Sequence, residues 1–453
     1  MLNKLTRAIR NPSDFFRSLM VLVTGTVVAQ LIMLVALPLL TRLYAPEDFS
    51  ALAVYASLLG ILSVAACLGL DMAVSMPESD EESSSLLILA IFFAAITSLV
   101  TGLALYFFDD SFLIKIGLEK LLPFLWMIPA GIFISAVYSA VQFYAVRKKS
   151  FSYIAKAKIG QSSAAISSQI GLGAYGVTPF GLLFGQMLSG GIGFLYLCSR
   201  LIGKESLSGI SFGNLKAVLI KYKKFPQFTT FETLTNSAGI QVPIILIATF
   251  IAGPEAGFLF LATRVMQAPM SLIGGAISQV YLANAPQENS KGNLGPFTEK
   301  IISGLVKVGV GPIIFAGITA PLIFSIVFGA EWERSGVLVA WMTPWFIFQF
   351  LASPISMAMH VKNMQKLMLA ITVSGFMLRV GTLLFISLFS KEILSECYAI
   401  SAGVFYFFCF LIFSACAGLT IKKLISILFI NYKYILPWIF FAVILRQIYF
   451  LIF

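Results

Sequence analysis

Residues 19–41 read LMVLVTGTVVAQLIMLVALPLLT, 23 residues without a single charge. A helix rises 1.5 Å per residue, so this run is about 34 Å long. That matches the roughly 30 Å hydrocarbon layer of a bilayer. A helix is the only form such a run takes singly, because inside the bilayer each backbone N–H and C=O must be paired within the segment. The run exceeds the apolar core of a secretory signal, and no small-x-small cleavage site follows it. The N-terminus therefore reads as a first membrane span and not as a cleaved leader.

The same pattern recurs along the chain. Twelve apolar runs lie near 19–41, 50–72, 86–108, 121–145, 153–173, 179–199, 226–250, 256–282, 301–327, 336–359, 367–389 and 397–420. Strands of a membrane barrel would be about 10 residues long and alternate in polarity, and these runs do neither. Hydrophobic residues make up 59% of the 453 and charged residues only 11%. A soluble domain carries about 25% charged residues, so no stretch is polar enough to form one. The fold class is an all-α polytopic membrane protein of about 12 transmembrane helices.

Short connections organise the spans. A basic segment, 1–18, precedes a first set of six spans over 19–199. The longest link, 200–225, carries Lys204, Lys216, Lys221, Lys223 and Lys224, and a second set of six spans follows over 226–420. Residues 421–453 hold a basic segment and a last apolar stretch, Tyr434 to Phe453, with Pro437 and Arg446 inside it. This stretch fits either a thirteenth span or an interfacial helix, and the interfacial course is the favoured expectation.

Basic residues give the orientation. With the N-terminus inside, inside segments hold 22 of the 31 Lys and Arg, and outside loops hold five: Arg42, Lys115, Lys120, Arg334 and Lys391. Positive loops stay cytoplasmic, so a multi-pass protein with a cytoplasmic N-terminus is expected. The net charge of +11 is then mainly a topology signal and does not point to nucleic acid.

Several chemistries are missing. The five cysteines are scattered with no CxxC pair, and His360 is the single histidine. A histidine metal cluster and a triad needing a second histidine are both excluded. No GxxxxGK[ST] loop for ATP occurs, and no outside loop is large enough for a catalytic domain. The expectation is a protein that is not an enzyme and holds no metal or cofactor.

Polar groups within spans are costly and usually face a bundle interior or a wet cavity. Ser135, Tyr138, Ser139 and Gln142 share one face of the fourth span. The seventh span is polar over half its length, with Glu232, Asn236 and Gln241 among its residues, and Gln30 lies in the first. Interhelical glue explains any one stripe; several together favour a water-filled cavity. Ionisable residues are sharper. Arg264 lies about 12 Å from the outer end of the eighth span, Lys307 is similarly deep in the ninth, and Arg379 is near the middle of the eleventh. Against them stand only Glu232 and, at the inner end of the second span, Asp71. Surplus buried positive charge suits an anionic substrate, because arginine forks onto phosphate oxygens and stays charged. For each base an ion pair or a carbonyl contact is the alternative. Glu232 suits a coupling proton or cation, or pairs with a base, and a structural role suits Asp71.

The outer corner Ala45-Pro46-Glu47-Asp48 between spans 1 and 2 is echoed by Gly253-Pro254-Glu255-Ala256-Gly257 between spans 7 and 8. Repeated halves are common in secondary transporters.

A family resemblance adds to this reading. Pro38-Leu-Leu-Thr-Arg42-Leu-Tyr-Ala-Pro46-Glu-Asp-Phe49, Lys224-Phe-Pro226, Ala262-Thr-Arg264-Val-Met-Gln-Ala-Pro269 with Ile277-Ser-Gln-Val280, and Gly329-Ala-Glu-Trp332 before Thr343-Pro344-Trp345 together resemble the O-antigen and exopolysaccharide unit flippases of the multidrug/oligosaccharidyl-lipid/polysaccharide exporter superfamily. The resemblance is spread over roughly residues 19–420. It implies two six-helix bundles around a central cationic cavity. It also implies flipping of an undecaprenyl-pyrophosphate-linked oligosaccharide across the bacterial inner membrane. The implied partners are that lipid-linked substrate, membrane lipids, a polysaccharide polymerase and a chain-length regulator. Arg264 matches a helix-8 arginine of the pattern, while further arginines of related lipid flippases have no counterpart here except Arg42, at a span end. The competing readings are a multidrug or small-molecule exporter of the same superfamily, a membrane glycan polymerase or ligase, and a non-transporting scaffold. A drug exporter wants acidic cavity residues, and the excess of buried bases argues against it; a polymerase wants a large outside loop, which this chain lacks.

Overall fold

A computed structural model describes residues 12–115, 117–201, 212–362 and 364–452. Lys4, Arg7 and Arg10 of the basic N-terminus, and Lys204 of the central link, lie outside the described residues. Helices and no strands occur among the described residues. Twelve helices are long and apolar enough to cross a membrane by length and composition, so the chain is a multi-pass membrane protein.

That number agrees with the sequence reading, but one member differs. The fifth expected span forms a helix, Phe151–Ala174, yet it is not among the twelve, because Lys156, Lys158 and a run of serines and glutamines lower its hydropathy. The C-terminal helix, Ile421–Ile452, takes its place.

In chain order the helices are α1 (Pro12–Leu43), α2 (Pro46–Ala66), α3 (Leu70–Ala73), α4 (Asp80–Phe107), α5 (Asp110–Lys115), α6 (Met127–Arg147), α7 (Phe151–Ala174), α8 (Phe180–Gly191), α9 (Gly193–Leu201), α10 (Phe212–Lys221), α11 (Thr230–Phe250), α12 (Glu255–Ser290), α13 (Leu294–Leu305), α14 (Gly311–Phe328), α15 (Glu333–Ile355), α16 (Met357–Val361), α17 (Gln365–Ser387), α18 (Leu394–Cys416) and α19 (Ile421–Ile452). Short π-helical segments, Phe225–Thr229 and Val306–Val310, run into α11 and α14. The second expected span is interrupted: Leu68 and Gly69 take left-handed backbone, and α3 begins only after them.

The chain forms two compact units. The first comprises the described residues of Met1–Tyr44 and Ala51–Gln241, and the second Ala45–Ser50 and Val242–Phe453. The division falls within α11, and the corner between α1 and α2 belongs to the second unit.

In the first unit α7 packs along α1 and α8, and α6 along α4 and α8. Tyr44, at the end of α1, is 3% exposed and donates its hydroxyl to the Gln169 carbonyl at 2.6 Å. Tyr55 donates likewise to the Met127 carbonyl at 3.0 Å. Each satisfies a buried phenol with a backbone acceptor from another helix, which removes the cost of leaving it unpaired in an apolar interior. Outside the spans, Lys221 of α10 donates to both oxygens of Glu82, at 2.7 and 2.8 Å. That carboxylate holds the Lys221 ammonium pKa above its ordinary value.

In the second unit α15 packs against α12, α14 and α18, and α17 lies along α18. The C-terminal helix is part of this unit. Asn431 donates to Ser303 Oγ at 3.0 Å, Tyr434 lies under Lys307, and the Trp438 and Phe441 rings each lie 5.7 Å from that of Phe315. Partners ascend together in sequence on both sides, so α19 runs parallel to the α13–α14 rod.

Candidate functional site

The second unit holds the three buried or deep bases singled out in the sequence. Arg264 lies nine residues into α12, about 13 Å from its start. It is half-buried, and its guanidinium carbon sits 5.0 Å from the centroid of the Phe260 ring one turn earlier. At that distance the ring attracts the guanidinium as a cation–π partner. Arg379 is only 4% exposed. Its Nε donates to the Gly375 carbonyl at 2.9 Å, and its guanidinium lies 4.9 Å from the centroid of the Phe405 ring. This side chain is enclosed where α17 meets α18. Lys307 is exposed on the π-helical turn before α14, with its ammonium 5.5 Å over Tyr434, the ring that also receives Lys433 at 5.5 Å. The three bases thus have separate aromatic partners and separate surroundings.

The first unit holds the polar and acidic set. Asp71 is 8% exposed and accepts from the Ser139 hydroxyl at 2.6 Å, which joins α3 to the polar face of α6. Along α11 the polar residues divide. Ser237 donates to the Gly60 carbonyl, and Gln241 lies so close to Gly60 that a Cβ there would meet its amide. Glu232 and Asn236, four residues apart on another face, are exposed. Gln30 is half-buried on α1.

Two groupings escaped the sequence reading. Lys158, one of the basic residues the orientation reading places inside, is a half-buried residue of α7 that donates to Thr26 Oγ1 of α1 at 3.3 Å, one turn before Gln30. Its position inside an apolar run was the available signal. The second grouping is an ion triad in the second unit. Arg334 forks onto Glu255, 2.8 Å from Nη2 and 3.3 Å from Nε, and reaches Glu396 with Nη1 at 2.7 Å. Glu255 and Glu396 lie in the first turns of α12 and α18, where a helix N-terminus favours negative charge. Beside the triad, the Phe49 and Trp332 rings pack edge to face, 4.8 Å between centroids, and Phe258 adds a second edge contact to Trp332 at 5.8 Å. Phe49 belongs to the α1–α2 corner. A Cβ on Gly257 would collide with the Pro46 carbonyl, so that corner rests directly on α12.

Among the described residues no group of three or more His, Cys, Asp or Glu could hold a metal ion. The five cysteines are free thiols, with Cys67 and Cys409 buried.

Comparison with known proteins follows the same lines. The family model described as "Polysaccharide biosynthesis protein" matches residues 39–337, about two-thirds of the chain. No curated protein sequence matches. Among solved structures, the chain is similar to one titled lipid II flippase MurJ in an inward closed conformation, at 14% identity and a TM-score of 0.66, covering 95% of this chain and 97% of that one. It is also similar to an outward-facing multidrug resistance MATE family transporter of the MOP superfamily, at 13% identity and a TM-score of 0.53, covering 89% and 96%. A MOP superfamily transporter from Pyrococcus furiosus gives the same values. Identities this low carry the fold alone, and the fold is that of the MurJ and MATE structures. With two-thirds of its length under the family model, the chain belongs to the polysaccharide biosynthesis protein family.

Proposed function

We propose that this protein flips undecaprenyl-pyrophosphate-linked oligosaccharide units across the bacterial inner membrane, from the cytoplasmic to the periplasmic leaflet, during surface polysaccharide synthesis. Its N-terminus is cytoplasmic, and it works by alternating access. The observation that carries this reading is membership of a polysaccharide biosynthesis family in a chain built of apolar helices. A chain with no extramembrane domain among its described residues contributes to glycan assembly most simply by moving a lipid-borne intermediate. A solved structure with this fold is titled a lipid II flippase, which favours a lipid-linked cargo.

Arg264 is the residue proposed to bind the pyrophosphate or an acidic sugar. Its guanidinium is half-buried and lies 5.0 Å from the Phe260 ring centroid, and arginine binds phosphate in bidentate fashion. Arg379 supports the α17–α18 pair from within, and Lys307 is a second anion contact. Glu232, exposed in α11 with Asn236, is proposed to carry the coupling proton or sodium ion. Gln30, Gln241 and Asp71 complete the polar set, with Lys158 of α7 on Thr26, one turn before Gln30.

A second reading is export of a small molecule, favoured by the likeness to a multidrug MATE transporter. Complementation separates the two. In a bacterium lacking its own polysaccharide flippase but supplied with the donor strain's glycan genes, the first reading predicts restored surface glycan and a fall in intracellular lipid-linked units. No rescue from an inserted protein, with drug tolerance raised, would favour the second.

A further inference from the structure

A groove of about 750 Å³ lies within the second unit, lined by α14, α15 and the far end of α19. Its body is apolar, with Ile318, Pro321, Val337 and Trp341 among the walls, and it also holds two charged residues, Glu333 and Arg446. The volume lies within the about 300–1,000 Å³ range of small-ligand pockets.

The placement of the two charges is informative. Glu333 opens α15. Arg446 lies 15 residues beyond Asn431, about 22 Å further along α19, and the parallel course of α19 carries it to the end of α14. Both therefore lie toward the ends of apolar helices, at the level where a bilayer passes from hydrocarbon to headgroups. An apolar body with one acid and one base at its polar end fits an amphiphile whose headgroup carries both signs.

We propose that this groove binds an aminophospholipid, a lipid whose headgroup carries a phosphate and a primary ammonium. Arg446 takes the phosphate, for which a guanidinium is suited by charge and fork geometry. Glu333 accepts N–H donors of the ammonium. The upper part of an acyl chain lies along Ile318, Pro321 and Val337, and Trp341, two turns into α15 and 47% exposed, forms a further wall. Glu333 sets the selectivity. It repels a purely anionic headgroup, and it has nothing to accept from a quaternary ammonium, which carries no N–H. The bound lipid fastens α19 to α14 and α15. This assignment stands apart from the transport reading, since it concerns a groove within one unit and a lipid that is not cargo.

The test uses the full chain, purified in mild detergent and mixed with equal amounts of phosphatidylethanolamine, phosphatidylglycerol and phosphatidylcholine before native mass spectrometry. Wild type retains one phosphatidylethanolamine, at least about fivefold over either competitor, as expected where a charge-assisted pair decides. Glu333→Gln lowers the preference over phosphatidylcholine, Arg446→Gln lowers retention of both, and Ala340→Trp fills the groove and removes the lipid. Should Ala340→Trp fail to fold, the two charge variants decide alone. Phosphatidylglycerol retained as well as phosphatidylethanolamine, no lipid retained at all, or charge variants indistinguishable from wild type would each overturn the proposal.

Discussion

Arg334 holds Glu255 through both carboxylate oxygens, 2.8 and 3.3 Å away, although the two residues are 79 positions apart in the chain. With Glu396 as a third member, one guanidinium ties the first turns of α12 and α18 to that of α15. Removing one member of a buried pair leaves an uncompensated charge, at about 3–5 kcal/mol when burial is complete. The Arg334 side chain is 31% exposed, so solvent screening brings the expected loss for Arg334→Met to about 1–3 kcal/mol. Thermal or detergent unfolding of the purified protein measures it. Adding Glu396→Gln to Arg334→Met should recover part of the loss, because one of the stranded charges is gone. Unchanged stability in Arg334→Met would show that the triad does not hold these helices.

Gly257→Val should displace the Ala45–Ser50 corner. Its Cβ has no room beside the Pro46 carbonyl and the Ser50 amide, and Phe49 would leave Trp332. The readout is maleimide labelling of a cysteine placed at Asp48, which should react faster in the Gly257→Val background. Phe49→Ala removes the packed ring alone and should cost about 3–5 kcal/mol, since Phe49 is 1% exposed.

Arg264 and Arg379 should separate by phenotype. Arg379→Leu strips the link to the Gly375 carbonyl and the cation–π contact with Phe405, so stability should fall by about 1–3 kcal/mol. Arg264→Ala should melt close to wild type, yet abolish surface glycan in the complementing strain. A stable Arg379→Leu protein with no glycan, or an unstable Arg264→Ala protein, would reverse these roles.

A membrane-crossing α19 places its two ends on opposite sides. A cysteine at Lys422 should react with an impermeant maleimide only from the cytoplasmic side of oriented vesicles, and one at Arg446 only from the other. Labelling of both from one side would return this helix to the interface. Asn431→Ala, which removes the amide donor to Ser303 Oγ, should cost about 1 kcal/mol.

Much of the fold was legible in the sequence, because the bilayer demands long uncharged runs and forbids unpaired backbone. The 19–41 run and its successors became helices for that reason. What the sequence left open depends on packing. Tyr434–Phe453 reads equally as a surface helix until Asn431, Trp438 and Phe441 meet Ser303 and Phe315. Lys158 reads as an inside charge until α7 lies along α1 and brings it to Thr26. The helix break after Ala66 had a local signal in Gly69, a residue suited to the positive φ of 68° found there. The triad had almost none, since Arg334, Glu255 and Glu396 are far apart in sequence and each reads as an outside-loop charge. Arg264 was legible as an unusual buried base. Its seat on Phe260 follows from the four-residue spacing, though that spacing alone does not say which way the pair faces.

Movement of a lipid-linked pyrophosphate across a bilayer is open to direct measurement. The direct measurement reconstitutes the purified protein in proteoliposomes bearing a fluorescent undecaprenyl-pyrophosphate oligosaccharide in both leaflets, imposes a proton or sodium gradient, and quenches the outer leaflet with an impermeant reagent. Wild type should make the protected pool accessible within the assay, and Arg264→Ala should not. A protected pool that stays protected under both gradients, in a protein shown to be folded and inserted, would contradict the flippase account.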